Sequence, residues 1–176
     1  MVYLVTGGSG SGKSEYAESL ILASQCSRRF YVATMAVYGE EGRQKVQRHR
    51  LMRREKGFIT LERQHCVGEA LLAEKHNTAV LLECVSNLAA NEMFGREDDR
   101  PDTGVLADRI AADIGRLAAQ AADTVIVTNE VGADGVQYGP ETMEYIRLMG
   151  LLNRKLAEAS DRVVEVVYGI PVARKE

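Results

Sequence analysis

Residues Gly7-Gly8-Ser9-Gly10-Ser11-Gly12-Lys13-Ser14 stand between an apolar run, Val2-Tyr3-Leu4-Val5, and a helical pattern that opens at Glu15-Tyr16-Ala17-Glu18. A strand, a glycine loop and a helix in that order form a cradle for a polyphosphate. The glycines let backbone N–H groups turn inward around the anion, and the helix N-terminus adds the positive end of its dipole. Lys13 is placed to reach the β and γ phosphates, and the Ser14 hydroxyl to ligate Mg²⁺. The alternatives are a glycine-rich turn with no ligand and, for Ser14, an ordinary helix-start residue.

The rest of the chain alternates strand and helix patterns. Val2 to Thr6, Arg29 to Ala33, Thr78 to Cys84, Thr124 to Thr128 and Arg162 to Tyr168 read as strands, with Ile59 to Glu62 as a shorter sixth. Most are continuously apolar, the signature of strands buried on both faces of a parallel sheet. Leu106, Ile110, Ile114, Leu117 and Ala121 recur at helical spacing behind a cap at Asp102 or Thr103, and Met149, Leu152, Leu156 and Ala159 do the same later. Such alternation predicts an α/β, doubly wound, mostly parallel sheet with flanking helices, its ligand outside the carboxyl ends of the strands. Gly95 to Pro101 and Val131 to Pro140 read as surface loops. No linker divides the 176 residues, so residues 1–176 are expected to form one domain.

Composition narrows the function. A net charge of −3 argues against a general nucleic-acid binder. No apolar stretch is long enough to span a membrane and no signal-peptide pattern opens the chain. Cys26, Cys66 and Cys84 are an odd number without a C-x-x-C pair, as expected of free thiols in a reducing cytoplasm or of small apolar filler.

The segment Glu40 to Lys56 carries Arg43, Lys45, Arg48, His49, Arg50, Arg53, Arg54 and Lys56. As a helix it puts His49 and Arg53 on one face. Alone it reads as a solvated basic helix. Beside a bound triphosphate it would complete the neutralisation, and surrounding positive charge disfavours the imidazolium. A neutral His49 could attack the α-phosphorus of a nucleotide and expel pyrophosphate, leaving an N–P bond.

These pieces together resemble the bifunctional adenosylcobinamide kinase / adenosylcobinamide-phosphate guanylyltransferase family. Leu4-Val5-Thr6-Gly7-Gly8 with Ser11-Gly12-Lys13-Ser14 is similar to its phosphate loop, Tyr31-Val32-Ala33-Thr34 to its second strand, and Val46-Gln47-Arg48-His49-Arg50 with Arg53, Thr60 and Glu62 to its histidine segment. Leu81-Leu82-Glu83-Cys84, Val127-Thr128-Asn129-Glu130-Val131-Gly132, and Asn153 through Gly169-Ile170-Pro171 are similar to its later signatures. Arg54 stands where relatives often have proline, Phe58 where a tryptophan is common, and the stretch from Pro140 to Gly150, with Arg147 near an expected acid, is shorter than in many relatives.

The resemblance implies a P-loop NTPase-like (RecA-like) fold and a two-step enzyme. It would phosphorylate adenosylcobinamide with a nucleoside triphosphate, ATP or GTP. It would then transfer GMP from GTP to adenosylcobinamide phosphate, with GMP carried on His49. Nucleotide contacts map onto Gly7 through Ser14 (Gly7, Gly8, Ser9, Gly10, Ser11, Gly12, Lys13, Ser14), onto Thr34, Met35 and Ala36, onto Arg50, Leu51, Met52 and Arg53, and onto Glu62 and Glu83. Ser14 and Glu83 are the Mg²⁺ candidates. A homotrimer is implied, with substrate sites near subunit contacts. Two other functions fit the loop alone: a small-molecule kinase without a covalent step, and a non-catalytic nucleotide-dependent regulatory module.

Further residues carry two readings each. Glu83, at a strand end, would hold a Mg²⁺-bound water or a guanosine hydroxyl, or be a salt-bridged acid. Glu62 would contact the guanosine moiety or be an exposed strand-edge acid. Asn129 and Glu130 would meet substrate or magnesium, or cap the following glycine loop. Tyr138 is a candidate substrate contact, whereas His65 and His76 read as surface or structural.

Overall fold

The computed structural model describes residues 1–36, 47, 51, 53–70, 72–95, 101–132 and 134–176. Its strands are β1 (Val2–Thr6), β2 (Arg28–Ala33), β3 (Phe58–Glu62), β4 (Thr78–Glu83), β5 (Asp123–Val127), β6 (Arg162–Val167) and β7 (Ile170–Lys175). They form one seven-stranded sheet in the order β3-β2-β4-β5-β1-β6-β7. Every pairing is parallel except that of β6 with β7. The helices are α1 (Lys13–Ala23), α2 (Val85–Phe94), α3 (Thr103–Ala118) and α4 (Pro140–Ala159).

Strand side chains alternate between two cores because successive Cβ atoms point to opposite faces. Leu4, Val32, Leu82 and Ile126 join Leu88, Ile110, Ile114, Leu148, Leu152 and Leu156 on the face covered by α2, α3 and α4. Val5, Tyr31, Leu81, Val125 and Val127 join Ala17 and Ile21 of α1 on the other. Burial of each full-sized aliphatic side chain stabilises the fold by about 1.5–3 kcal/mol. Burial on both faces is also what made the central strands read as unbroken apolar runs.

α3 begins where its sequence stops competing with solvent for backbone donors: Asp102 Oδ1 accepts from the amides of Gly104 (2.7 Å) and Val105 (3.4 Å). α4 starts with Pro140, whose missing N–H is no loss in a first turn.

β1 is central, between β5 and β6. The chain leaving β1 runs through α1 on one face toward β2, and the chain leaving β5 runs through α4 on the other face to β6. The carboxyl ends of β1 and β5 therefore flank a crevice where the winding reverses, the position at which doubly wound sheets take ligands. The sixth expected strand is present as β3, and β7 is an antiparallel addition that its half-polar sequence did not announce. Among the described residues no helix is long and apolar enough to cross a membrane.

Candidate active site

The loop between β1 and α1 follows the glycines. Gly7, Gly10 and Gly12 take φ values of 152°, 71° and 89°. A Cβ on Gly7 would stand 2.6 Å from both Ser11 Oγ and the Val166 carbonyl oxygen, so the turn admits no side chain there. The Ser11 amide donates to the Gly8 carbonyl (3.2 Å) and closes the loop on itself. Lys13, 9% exposed, folds its ammonium back onto the same Gly8 oxygen at 3.0 Å. A buried cation that leans on a backbone carbonyl can exchange that partner for phosphate oxygens. Two buried hydroxyls here, Thr6 Oγ1 and Ser11 Oγ, have no hydrogen-bond partner among the described residues.

Glu83 closes the site from the sheet. Register places Glu62, Ala33, Glu83, Val127 and Val5 in one row across β3, β2, β4, β5 and β1. Glu83 shares the α1 face with Leu81, and one carboxylate oxygen accepts from Ser14 Oγ at 2.5 Å while the other accepts from the Tyr31 hydroxyl at 2.7 Å. Tyr31 is itself packed edge-on against Phe58, with ring centroids 6.0 Å apart. The Arg53 guanidinium lies over its ring at 3.9 Å. Burial raises the Tyr31 phenol well above its ordinary value; the Glu83 charge and hydrogen bond add to this, and Arg53 opposes it. The phenol thus stays a donor, and the carboxylate is held by two hydroxyls. Arg53 is 8% exposed, and its Nε has no partner among the described residues.

The loops after β2, β4 and β5 are laced together. Thr34 is fully buried; its hydroxyl donates to the Cys84 carbonyl and accepts from the Cys84 amide, both at 2.8 Å. Asn91 Nδ2 donates to the Thr34 carbonyl at 2.8 Å. Asn129 Nδ2 donates to Ser86 Oγ at 2.6 Å, Asn153 Nδ2 to the Asn129 carbonyl at 3.1 Å, and Thr128 Oγ1 to Asn153 Oδ1 at 2.6 Å. The Tyr145 hydroxyl donates to the Ser86 carbonyl at 2.9 Å. Asn129 thereby ties the end of β5 to the start of α2 at the crevice.

Of the residues named from sequence, the structure brings Gly7 through Ser14, Glu83 and Arg53 into one site. Met35 and Ala36 follow the buried Thr34 at its edge, and Met35 is exposed. Glu62 and Glu130 are exposed, at the ends of β3 and just past β5, and Leu51 is exposed on the basic segment. Tyr138 is engaged with Asp134. His65 Nδ1 stands 3.3 Å from Glu92 Oε1, outside the site, as a structural histidine would. His49, Arg50 and Met52 lie outside the described residues. Sequence reading missed Tyr31; the signal was its position two residues before Ala33, on the same face of the sheet as Glu83 once β2 and β4 are neighbours.

A glycine loop with a buried lysine at the end of a central parallel strand, faced by an acid at the carboxyl end of β4 two strands away, defines a P-loop nucleotide-binding protein. Two solved structures share the fold. One, an ATPase domain, matches with a TM-score of 0.51 at 13% identity, over 93% of this chain and 68% of that one. The other, a prototypical ATPase from the type III secretion system of pathogenic bacteria, matches with a TM-score of 0.55 at 12% identity, over 98% of this chain and 56% of that one. The family model for cobinamide kinase / cobinamide phosphate guanyltransferase matches residues 3–173, and the chain belongs to that family of transferases. It is 35% identical to the bifunctional adenosylcobalamin biosynthesis protein CobU of Escherichia coli (strain K12), over 99% of this chain and all of the relative. It is 33% identical to the CobU protein of Salmonella typhimurium over the same shares, and 28% identical to the CobP protein of Pseudomonas aeruginosa over 98% of this chain and 96% of that one.

Proposed function

We propose that this chain phosphorylates the aminopropanol hydroxyl of adenosylcobinamide with ATP or GTP, and then transfers GMP from GTP to the phosphate so formed. In the second reaction His49 attacks the α-phosphorus of GTP. The P–O bond to pyrophosphate breaks as the N–P bond forms. A phosphate oxygen of adenosylcobinamide phosphate then displaces the histidine and gives adenosylcobinamide-GDP. Two displacements at phosphorus replace one difficult transfer.

The observation that carries this reading is the placement of Arg53. It lies in the basic segment, four residues after His49 in sequence, and is buried over Tyr31, whose hydroxyl donates to Glu83. That contact holds this part of the segment against Tyr31, the residue that shares Glu83 with Ser14 of the phosphate loop. Lys13 and the loop amides would hold the β and γ phosphates and stabilise charge that develops on transfer. Ser14 Oγ and Glu83 Oε1 offer adjacent hard oxygen donors, which fit Mg²⁺. Bound there, Mg²⁺ would neutralise phosphate charge. The chain's own groups bind and orient the nucleotide. The three cysteines, free in this structure, suit a cytoplasmic enzyme. The family resemblance supports a homotrimer, which light scattering would read as three times 19.4 kDa.

The test is incubation with α-labelled GTP and Mg²⁺ in the absence of any corrinoid. The expected product is a labelled protein whose adduct is acid-labile and base-stable, as a phosphoramidate is, and His49→Asn should not form it. Label that persists in His49→Asn removes the assigned nucleophile. Transfer of γ-phosphate with no α-label at all leaves a kinase without the covalent step, and nucleotide binding without turnover leaves a regulatory module.

A further inference from the structure

The turn joining β6 to β7 consists of Tyr168 and Gly169, with φ values of 51° and 79°. Two successive positive φ angles make a hairpin turn for which Asn-Gly is the favoured pair, since asparagine tolerates the left-handed region and bulky side chains resist it. A tyrosine holds this position against its own steric preference. It gains no burial in return: Tyr168 is 95% exposed. The ring pairs of the described residues, Tyr31 with Phe58 and Phe94 with Tyr145, do not include it. Strain combined with exposure is the pattern of a side chain kept for a ligand rather than for the fold.

The turn is fastened to the phosphate loop. The Gly169 amide donates to the Ser11 carbonyl at 2.8 Å. A Cβ on Gly12 would come within 3.3 Å of Gly169 Cα, and one on Gly7 within 2.6 Å of the Val166 carbonyl oxygen. The end of β6 and its turn are thus a wall of the loop, and Tyr168 is the residue next to the one that makes the hydrogen bond.

We propose that Tyr168 is a stacking platform for the purine base of the nucleoside triphosphate whose phosphates the loop from Gly7 to Ser14 holds, an inference that rests on the nucleotide reading given above. A nucleotide gripped by its phosphates projects its sugar and base out of the loop. An aromatic face fixed at the loop's rim removes one face of that base from water, and stacking of this kind accepts adenine and guanine alike. That tolerance suits a protein whose two reactions draw on more than one triphosphate. Because the platform is held by backbone hydrogen bonds, the binding of phosphate and of base becomes one rigid geometry.

The experiment compares wild type, Tyr168→Asn, Tyr168→Phe and Lys13→Ala by titration calorimetry with ATP, GTP and inorganic triphosphate, each with Mg²⁺. Asparagine suits the turn, so Tyr168→Asn should melt at or above the wild-type temperature without ligand. It should bind ATP and GTP roughly 5- to 100-fold more weakly, with its affinity for inorganic triphosphate unchanged. Tyr168→Phe should stay close to wild type. Equal ATP affinity in wild type and Tyr168→Asn overturns the platform, as does an equal loss for inorganic triphosphate. A change in oligomeric mass in Tyr168→Asn with base affinity intact also overturns it, in favour of a subunit contact. Lys13→Ala separates the premises: if it binds all three ligands like wild type, the phosphate-loop reading fails, and if it loses all three while Tyr168→Asn loses none, the platform alone fails.

Discussion

Ser14 Oγ donates to Glu83 Oε1 across 2.5 Å and joins the first turn of α1 to the last residue of β4. The contact spans 69 positions of sequence and exists because β1 and β4 are both paired to β5. It brings the two candidate metal donors together. Glu83→Gln keeps the shape and the hydrogen-bonding capacity but removes the charge. We expect Glu83→Gln to raise the Mg²⁺ concentration for half-maximal rate and to lower kcat by about 10²–10³, the scale of losing one charge-stabilising group. Initial rates over a Mg²⁺ series check both. A variant with wild-type Mg²⁺ dependence would take Glu83 out of the metal's surroundings.

Lys13 makes its contact with the Gly8 carbonyl, a backbone acceptor that asks for no charge. Among the described residues its ammonium is therefore placed by the loop rather than by an ion pair. Lys13→Ala should leave the melting temperature of the free protein within a few degrees and weaken triphosphate binding by about 1.5–3 kcal/mol, the scale of a hydrogen bond to a charged group. Both the kinase and the guanylyltransferase reactions should fall. Calorimetric titration and differential scanning together separate the binding defect from unfolding.

Two glycines one residue apart give opposite forecasts. At Gly7 a methyl group would meet the Val166 backbone oxygen at 2.6 Å, and the φ of 152° is itself unfavourable for a side chain. At Gly8 nothing lies within 4 Å of the added carbon. Gly7→Ala should destabilise the free protein by about 1–3 kcal/mol, and Gly8→Ala by less than about 0.5 kcal/mol. Urea unfolding without nucleotide reads the difference; equal losses would mean that the loop relaxes around Gly7.

The alternation of apolar strands and periodic helices was legible because most central strands are buried on both faces and α3 and α4 bury one stripe each. Boundaries moved by a residue or so: β5 runs Asp123–Val127, though the Thr128 amide still reaches the Val5 carbonyl, and β4 stops at Glu83, where the Cys84 amide turns to the Thr34 hydroxyl. β7 was not legible. It is an exposed edge strand with Pro171, Arg174 and Lys175 in six residues, reached through Tyr-Gly rather than a familiar hairpin pair. The phosphate loop could be read because its chemistry is local. Ser14 and Glu83 were named together through the family resemblance, but the place of Tyr31 beside them was not legible, because it comes from a different element and only strand order brings it there. The basic segment was visible as a charge run; among the described residues Arg53, over Tyr31, and Lys56, paired with Glu18 of α1, tie it to a place in the fold.

Tyr145 gives a prediction in pH. Burial, reinforced by the nearby Cys84 and opposed by an interaction with the Ser86 side chain, pushes its phenol up to about 12. The unfolded chain releases the same proton near pH 10. A folded value above the unfolded one means that folding favours the protonated phenol, so this contribution to stability is complete below pH 10 and is lost as pH rises toward 12. Tyr145→Phe removes the titrating group together with the hydrogen bond to the Ser86 carbonyl. At pH 8 the variant should be less stable by about 1 kcal/mol, the ordinary worth of such a bond. Between pH 10 and 12 its stability should fall less steeply than that of wild type, so the two curves converge. Denaturant unfolding at pH 8, 10 and 11 measures this directly. Parallel curves over that range would mean that the Tyr145 phenol titrates alike in the folded and unfolded chains.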